Sequence, residues 1–248
     1  MQLVKTFGSS VHGVNAFTVT IEVNVSVSGA GADIKYFMVG LPDNSIRESW
    51  HRIESAVKEN HFNMPRTKIV VNLSPADVRK EGTHYDLPIA IGVLGSSLQM
   101  PSHHFHEYVI LGELSLDGSI KPIKGALPIA IQARKEGFKG IILPKQNARE
   151  AAIVSDIKVY GVENIHEVVR FLSDDLDLEE TVVNTREEFF NQVGFNDIDF
   201  SDVKGQENIK RALEIAAAGG HNAILIGPPG AGKTMLAKRL PGILPPLS

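Results

Sequence analysis

The sequence predicts an α/β protein, in which strands and helices alternate along most of the 248 residues. Between residues 18 and 172, β-branched runs alternate with segments whose apolar residues recur every three or four positions, a pattern typical of a mixed sheet covered by helices. Farther on, residues 227–234 match G-x-x-x-x-G-K-[ST], the loop that connects a strand to a helix in phosphate-binding folds. The apolar run at residues 223–226 is predicted to be the strand that leads into this loop. We therefore predict an α/β (α+β) two-layer domain followed by the start of a P-loop segment.

The first predicted strand covers residues 18–28, where apolar β-formers such as Val19 and Ile21 alternate with polar residues. The glycine- and alanine-rich residues 29–32 predict a turn. Residues 34–39 are then expected to return as the hairpin partner of this strand.

An amphipathic helix, a buried strand and an apolar helix are predicted next. The first helix follows Asn44, and its apolar positions recur at three- or four-residue intervals, as Ile46, Trp50, Ile53 and Val57. The strand is predicted at residues 68–73. The apolar helix is predicted at residues 87–98, with Pro88 in its first turn.

The elements up to residue 172 continue the alternation. Asp117 and Gly118 give a strong turn signal between two strands, and Gly137 is a stop signal for the helix before it. The predicted strands cover residues 108–112, 114–116, 120–123, 140–143 and 158–160, and the predicted helices cover residues 126–136, 147–154 and 165–172.

Composition limits the classes of protein that fit. A hydrophobic content of 43% over 248 residues suffices for one large core or two modest ones. The sequence contains no cysteine, which excludes disulfides and thiolate metal sites from these residues and fits a cytoplasmic protein. No apolar stretch approaches the roughly 20 residues of a membrane span, so no membrane partner is expected. The net charge of −4 gives no overall attraction to nucleic acid.

An acidic run marks the expected domain boundary. From residue 173 the sequence carries seven carboxylates in sixteen residues, with Arg186 as the opposing charge. Such a run is typical of a solvated linker. We predict a first domain at residues 1–172, an acidic linker at 173–198 and a nucleotide module that begins at 199 and runs to 248.

Residues 227–234 carry the chemistry of a nucleoside triphosphate site. The glycines let consecutive backbone N–H groups point at phosphate, the lysine reaches the β- and γ-phosphates, and the hydroxyl ligates Mg²⁺. The candidate ATP-binding residues are Gly227, Pro228, Pro229, Gly230, Ala231, Gly232, Lys233 and Thr234, with Thr234 as the candidate Mg²⁺ ligand.

Long specific strings in the first domain resemble a known family. They read FMVGLPD at 37–43, VNLSPAD at 71–77, DLPIA at 86–90 and GELSLDG at 112–118. These residues resemble the amino-terminal domain of the YifB/ComM family, bacterial magnesium-chelatase-like AAA+ proteins. Residues 200–206 likewise resemble the segment that precedes the phosphate loop in AAA+ ATPases, which implies that Val203 and Lys204 contact the base of ATP.

The resemblance implies a function. It suggests the amino-terminal part of an ATPase that assembles as a homo-oligomeric ring on single-stranded or branched DNA and drives branch migration. A chelatase-type or protein-remodelling motor and a non-catalytic scaffold are the alternatives. In AAA+ proteins the acidic strand, the sensors and the arginine finger follow the P-loop, beyond Ser248 here. We therefore expect no catalytic residue and no meaningful ATP hydrolysis within these 248 residues.

The first domain also resembles the proteolytic domain of Lon, which uses a serine nucleophile and a lysine base. Matching the nucleophile motif to residues 80–86 places His84 at the serine. Matching the second motif to residues 112–133 places Ile129 at the lysine. We therefore predict a non-proteolytic relative.

Three weaker features remain open. His104 and His106 could face one way and share a metal, but no further ligand lies at a telling spacing, so a solvated loop is favoured. Trp50 could stack on a base, although its place on an apolar stripe favours the core. Scattered cations could form a DNA-facing patch, namely Arg47, Arg52, Arg66, Lys68, Arg79 and Lys80.

Overall fold

The computed structural model describes residues 3–26, 35–184 and 199–244. The chain divides into two compact units, Met1–Val183 and Asn184–Ser248. The expected turn at 29–32 lies outside the described residues, as does the part of the acidic segment at 185–198. Residues 174–183 belong to the first unit, where Thr181 N donates to Val159 O at 2.8 Å.

The first unit is built on a central sheet. Its strands are β1 (Val4–His12), β2 (Asn15–Val25), β3 (Lys35–Val39), β4 (Lys68–Ser74), β5 (Tyr108–Ile110), β8 (Gly140–Pro144) and β9 (Lys158–Val162). A separate pair is formed by β6 (Glu113–Leu114) and β7 (Ile120–Lys121). The strands of the large sheet lie in the order β3-β4-β2-β1-β5-β8-β9.

The sheet is mostly parallel. β1 with β2 and β2 with β4 are antiparallel, whereas β3–β4, β5–β8 and β8–β9 are parallel. β1 and β5 are also parallel, and among the described residues their register is a single pair, Phe7 with Val109. The two halves of the sheet therefore meet at a very short ladder.

Helices cover both faces of this sheet. They are α1 (Asn44–Glu59), α2 (Asp86–Ser96), α3 (Ala126–Lys135), α4 (Lys145–Ala151) and α5 (Ile165–Leu172). α1, α2 and α5 share one apolar core, and α3 and α4 share a second core with the opposite side chains of β5 and β8. The predicted α/β class is confirmed, and α3 and α4 add a helical layer to the two layers expected.

α1 forms where its periodicity predicts. The carboxylate of Asp43 accepts from Ile46 N at 2.9 Å and caps the helix. The predicted apolar face is buried, and Trp50 stacks on Tyr36 with ring centroids 3.9 Å apart. Trp50 is therefore part of the core, and its ring is not presented to a base.

The predicted hairpin of residues 18–28 with residues 34–39, which correspond to β2 and β3, is wrong. β3 pairs in parallel with β4, and β2 pairs with β1 and β4. β4 thus lies between β2 and β3, with α1 as the connection from β3. β1 is not predicted from the sequence, because Thr6, Ser9 and Ser10 are buried polar residues that obscure its alternation.

The second unit has a small helical core. It contains a 3₁₀ turn at Phe200–Asp202, α6 (Glu207–Ala218), α7 (Lys233–Arg239) and a 3₁₀ turn at Leu240–Ile243. Its buried residues are Phe200, Val203, Leu213 and Leu236. In neither unit is any described helix both long enough and apolar enough to cross a bilayer.

Candidate nucleotide-binding site

The loop at 227–234 has the backbone that its glycines permit. Gly230 and Gly232 adopt left-handed φ angles of 82° and 79°, which side chains other than glycine rarely adopt. A Cβ built on Gly230 would meet nothing within 4 Å, so packing does not explain this glycine. The open space in front of the backbone instead fits the close approach of a ligand.

Lys233 lies at the mouth of this loop. Its Nζ donates to Gly227 O and to Pro228 O, both at 2.7 Å. Within the described ranges no carboxylate forms an ion pair with it. Thr234 follows at the exposed start of α7, and no described group hydrogen-bonds its hydroxyl. The loop therefore combines an unneutralised ammonium with a free hydroxyl.

The two residues predicted to contact the base of ATP, Val203 and Lys204, differ in burial. Val203 is 3% exposed and packs with Phe200, Leu213 and Leu236, whereas Lys204 is exposed. Two left-handed residues, Gly205 and Gln206, then turn the chain into α6. Gln206 Nε2 donates to Ala231 O at 3.4 Å, so this turn contacts the loop at 227–234.

Arg239 fixes the far end of α7. It donates from Nε to Asp199 O at 2.8 Å and from Nη2 to Asp202 Oδ2 at 3.2 Å. Hydrogen bonds from Ser201 are the main cause that lowers the pKa of Asp199, and the charge of Arg239 adds to it. These contacts hold the 199–203 segment against the helix that follows the loop.

The strand predicted at residues 223–226 does not form among the described residues. Leu225 packs on the small core, but Ile224 and Ile226 are 82% and 88% exposed. A strand requires a hydrogen-bonded neighbour, and the described part of this unit supplies none. The run therefore has no regular secondary structure, with Ile224 and Ile226 in solvent and Leu225 partly buried.

A groove of about 900 Å³ in the first unit lies where the resemblance to Lon places the nucleophile. His84 lines it and donates from Nε2 to Ser9 O at 2.8 Å. Burial lowers the pKa of His84, and the hydrogen bond to Ser9 opposes this. Ile129, which the resemblance to Lon places at the catalytic lysine, is a residue of α3. It is 2% exposed and lies in the core.

The scattered cations converge only in part. Arg47 and Arg79 line one shallow depression of about 450 Å³. Arg52 is instead paired with the buried Asp86. Lys80 is fully buried, with Nζ donating to Val78 O at 2.7 Å, and its burial lowers its pKa. A patch of all six residues is therefore excluded.

Comparison with known proteins agrees with this architecture. The family described as subunit ChlI of Mg-chelatase matches residues 21–147, and a second magnesium chelatase ChlI family matches residues 199–248. The chain belongs to this magnesium-chelatase-like family and is a ComM-like AAA+ protein.

Curated relatives match most or all of the chain. Competence protein ComM of Haemophilus influenzae is 41% identical over 248 residues, which is 100% of this chain and 48% of that protein. YifB of Salmonella typhimurium is 42% identical over 95% of this chain and 45% of its own length. The archaeal Lon protease of Thermococcus kodakarensis is 25% identical over 70% of this chain and 29% of its own. The chain thus spans about half the length of the ComM and YifB proteins.

Proposed function

We propose that this protein is a cytoplasmic AAA+ ATPase that uses ATP and Mg²⁺ to drive branch migration of DNA during recombination. The observation that carries the nucleotide part is the Lys233 ammonium, which is held by two loop carbonyls without a described carboxylate partner. The DNA part is supported by the likeness to a competence protein over the whole chain.

The loop fits a triphosphate chemically. Gly230 and Gly232 adopt left-handed backbone angles, and an added Cβ at Gly230 would meet nothing within 4 Å. Backbone N–H groups in turns of this kind bind anions. Lys233 exchanges two neutral carbonyl partners for phosphate oxygens, a stronger charge-assisted contact. Thr234 offers its hydroxyl to Mg²⁺. Bound ATP supplies the phosphoryl group whose transfer drives movement.

The base is proposed to lie beside residues 203–206. Val203 acts from the core by fixing this turn, since its side chain is buried. Lys204 is exposed and available to the ligand. Because Gln206 reaches Ala231 O, filling the loop changes the contacts of this turn directly.

We further propose that the protein works as a homo-oligomeric ring on single-stranded or branched DNA. AAA+ catalysis commonly needs a cation from a neighbouring subunit, which a ring provides. With a net charge of −4, DNA contact requires local cations, and Arg47 with Arg79 is a local pair.

The test compares Lys233→Ala with Lys238→Ala in the complete protein. Both remove one lysine from α7, but Lys238 lies in the last turn of the helix. Binding of a fluorescent ATP analogue and ATP turnover are measured with and without branched DNA. We expect Lys233→Ala to lose binding and DNA-stimulated turnover, and Lys238→Ala to retain both.

Other outcomes contradict parts of the proposal. Turnover that is indifferent to DNA would indicate a chelatase-type or remodelling motor. Binding that survives Lys233→Ala would refute the site, and an absence of turnover in the complete protein would indicate a scaffold.

A further inference from the structure

Three side chains outside the nucleotide loop converge on one point of the first unit. Asp174 Oδ2 lies 3.1 Å from His103 Nε2 and 3.2 Å from His104 Nε2. One possible ligand atom from each residue lies within 4.8 Å of the other two. Among residues 3–26, 35–184 and 199–244 this is the single cluster of its kind.

We propose that His103, His104 and Asp174 bind a zinc ion, and we call them the zinc cluster. Zn²⁺ takes histidine nitrogen and carboxylate oxygen at about 2.0 to 2.2 Å in tetrahedral sites, which places neighbouring ligand atoms roughly 3.3 Å apart. The separations of 3.1 and 3.2 Å from Asp174 are close to this value. The two hydrogen-bonded contacts to Asp174 thus already have the spacing of zinc ligands, and the ligand atoms of His103 and His104 lie within 4.8 Å of each other.

The outer contacts of His104 strengthen the assignment. Its Nδ1 donates to Glu107 Oε1 at 2.8 Å, which leaves Nε2 as the nitrogen directed at Asp174. Zinc-binding histidines characteristically donate their other N–H to a carboxylate in this way. Glu107 is held in turn by Lys139, whose Nζ donates to it at 2.6 Å.

Space for a further ligand is present beside the cluster. A hollow of about 100 Å³ is lined by His104, Asp174 and Asp177, among others. This volume is enough for a water molecule, the usual completing ligand where three protein groups bind zinc. The lining of this hollow includes a second carboxylate, that of Asp177, and the ammonium of Lys139.

The ion would act as a structural link. His103 and Asp174 are 71 positions apart, one before β5 and the other directly after α5. Binding to the folded chain stabilises it by mass action, because the unfolded chain separates these ligands. The zinc cluster would thus fix the segment through which the chain leaves α5.

The test is calorimetric titration of tag-free protein with Zn²⁺ alone, together with thermal unfolding followed by the fluorescence of Trp50. The variants are His104→Gln, Asp174→Asn and Glu107→Gln, and the matched control is His106→Gln. His106 is an exposed neighbouring histidine outside the cluster. Circular dichroism without metal checks that each variant folds.

We expect one zinc ion per chain and a rise in melting temperature on its addition. His104→Gln and Asp174→Asn should each weaken binding at least tenfold, Glu107→Gln by about tenfold, and His106→Gln by less than twofold. Binding that is equally strong in the folded Asp174→Asn variant, that is lost in His106→Gln, or that is absent from the parent protein would overturn the proposal.

Discussion

Arg52 and Asp86 form a bidentate ion pair that joins α1 to α2, with Arg52 partly exposed and Asp86 buried. The guanidinium donates from Nε to Oδ2 at 2.7 Å and from Nη2 to Oδ1 at 3.0 Å. Asp86 is fully buried and also accepts from Leu114 N at 3.2 Å. Burial raises the pKa of Asp86 to about 6, and Arg52 opposes that rise.

Arg52→Met should destabilise the first unit because it leaves a buried carboxylate without its partner. We expect a loss of about 3 to 5 kcal/mol in the free energy of unfolding at pH 8. Urea unfolding followed by Trp50, the single tryptophan, measures this. The control is the exposed Arg79→Met, expected to change stability by less than about 0.5 kcal/mol.

The loss in Arg52→Met should also depend on pH. The folded pKa of Asp86 lies above its unfolded value of 3.8, so its protonation favours the folded state as pH falls through 6. Removing Arg52 raises the folded pKa further. The variant should therefore recover part of its lost stability at pH 5, and an equal loss at pH 5 and 8 would contradict this assignment.

His84 should contribute a pH dependence of stability that is opposite in sign to that of Asp86. Its folded pKa is lowered by burial, so the unfolded chain binds more protons, and stability falls as pH decreases below the usual histidine range. His84→Gln keeps a donor for Ser9 O and should flatten the decline between pH 6.5 and 5. Urea midpoints at half-unit steps measure this, with the exposed His12→Gln as control. Unchanged pH profiles in both variants would refute the role of His84.

Gly40 is expected to be intolerant of any side chain. It has a φ of 96°, and an added Cβ would overlap Leu73 O, a backbone atom of β4. Gly40→Ala should cost at least about 3 kcal/mol, from left-handed strain plus steric overlap. Gly13→Ala, with a φ of 63° and nothing within 4 Å, isolates the strain and should cost about 1 kcal/mol. Equal urea midpoints in the two variants would contradict this.

Gly230→Ala should separate ligand binding from folding. Gly220 has a similar left-handed φ of 62° and, like Gly230, open space around its Cβ position, but it lies outside the loop. Both alanine variants should therefore lose similar stability. Only Gly230→Ala should weaken binding of the ATP analogue, by at least tenfold, because its methyl group enters the space proposed for phosphate. Equal affinities in the two variants would refute that placement.

Local signals predicted much of the fold. α1, α3 and α5 lie where their apolar periodicity or stop signals indicate, because a helix is defined by neighbours three or four residues away. Strand partners are decided by distant segments, and for that reason the pairing of β3 with β4 could not be predicted. The strand expected at 223–226 has a correct pattern but no described partner.

The loop at 227–234 and the zinc cluster also differ in how far the sequence alone indicates them. The loop at 227–234 could be read from sequence because its chemistry is contiguous. The zinc cluster could not, since Asp174 comes from a segment about 70 residues away and looks like part of an acidic run. His106, which the sequence paired with His104, is exposed and outside the cluster. No spacing rule connects His103 to Asp174.

Among the described residues, Phe7 and Val109 are the single register pair between β1 and β5. The two halves of the sheet are therefore joined by few backbone hydrogen bonds, and we expect them to unfold locally with little cooperativity between them. On one face of the sheet α3 packs across this junction, since its core includes Val109 of β5 and Phe7 and Val11 of β1. On the other face α2 and α5 belong to a core that takes side chains from both halves of the sheet. Amides of β8 and β9 should therefore exchange with solvent as one cooperative block, and those of β2 and β4 as another. On the face that it covers, a helix of ten residues would then carry the coupling between the two blocks, so mutations in α3 should make the exchange of the two blocks less cooperative.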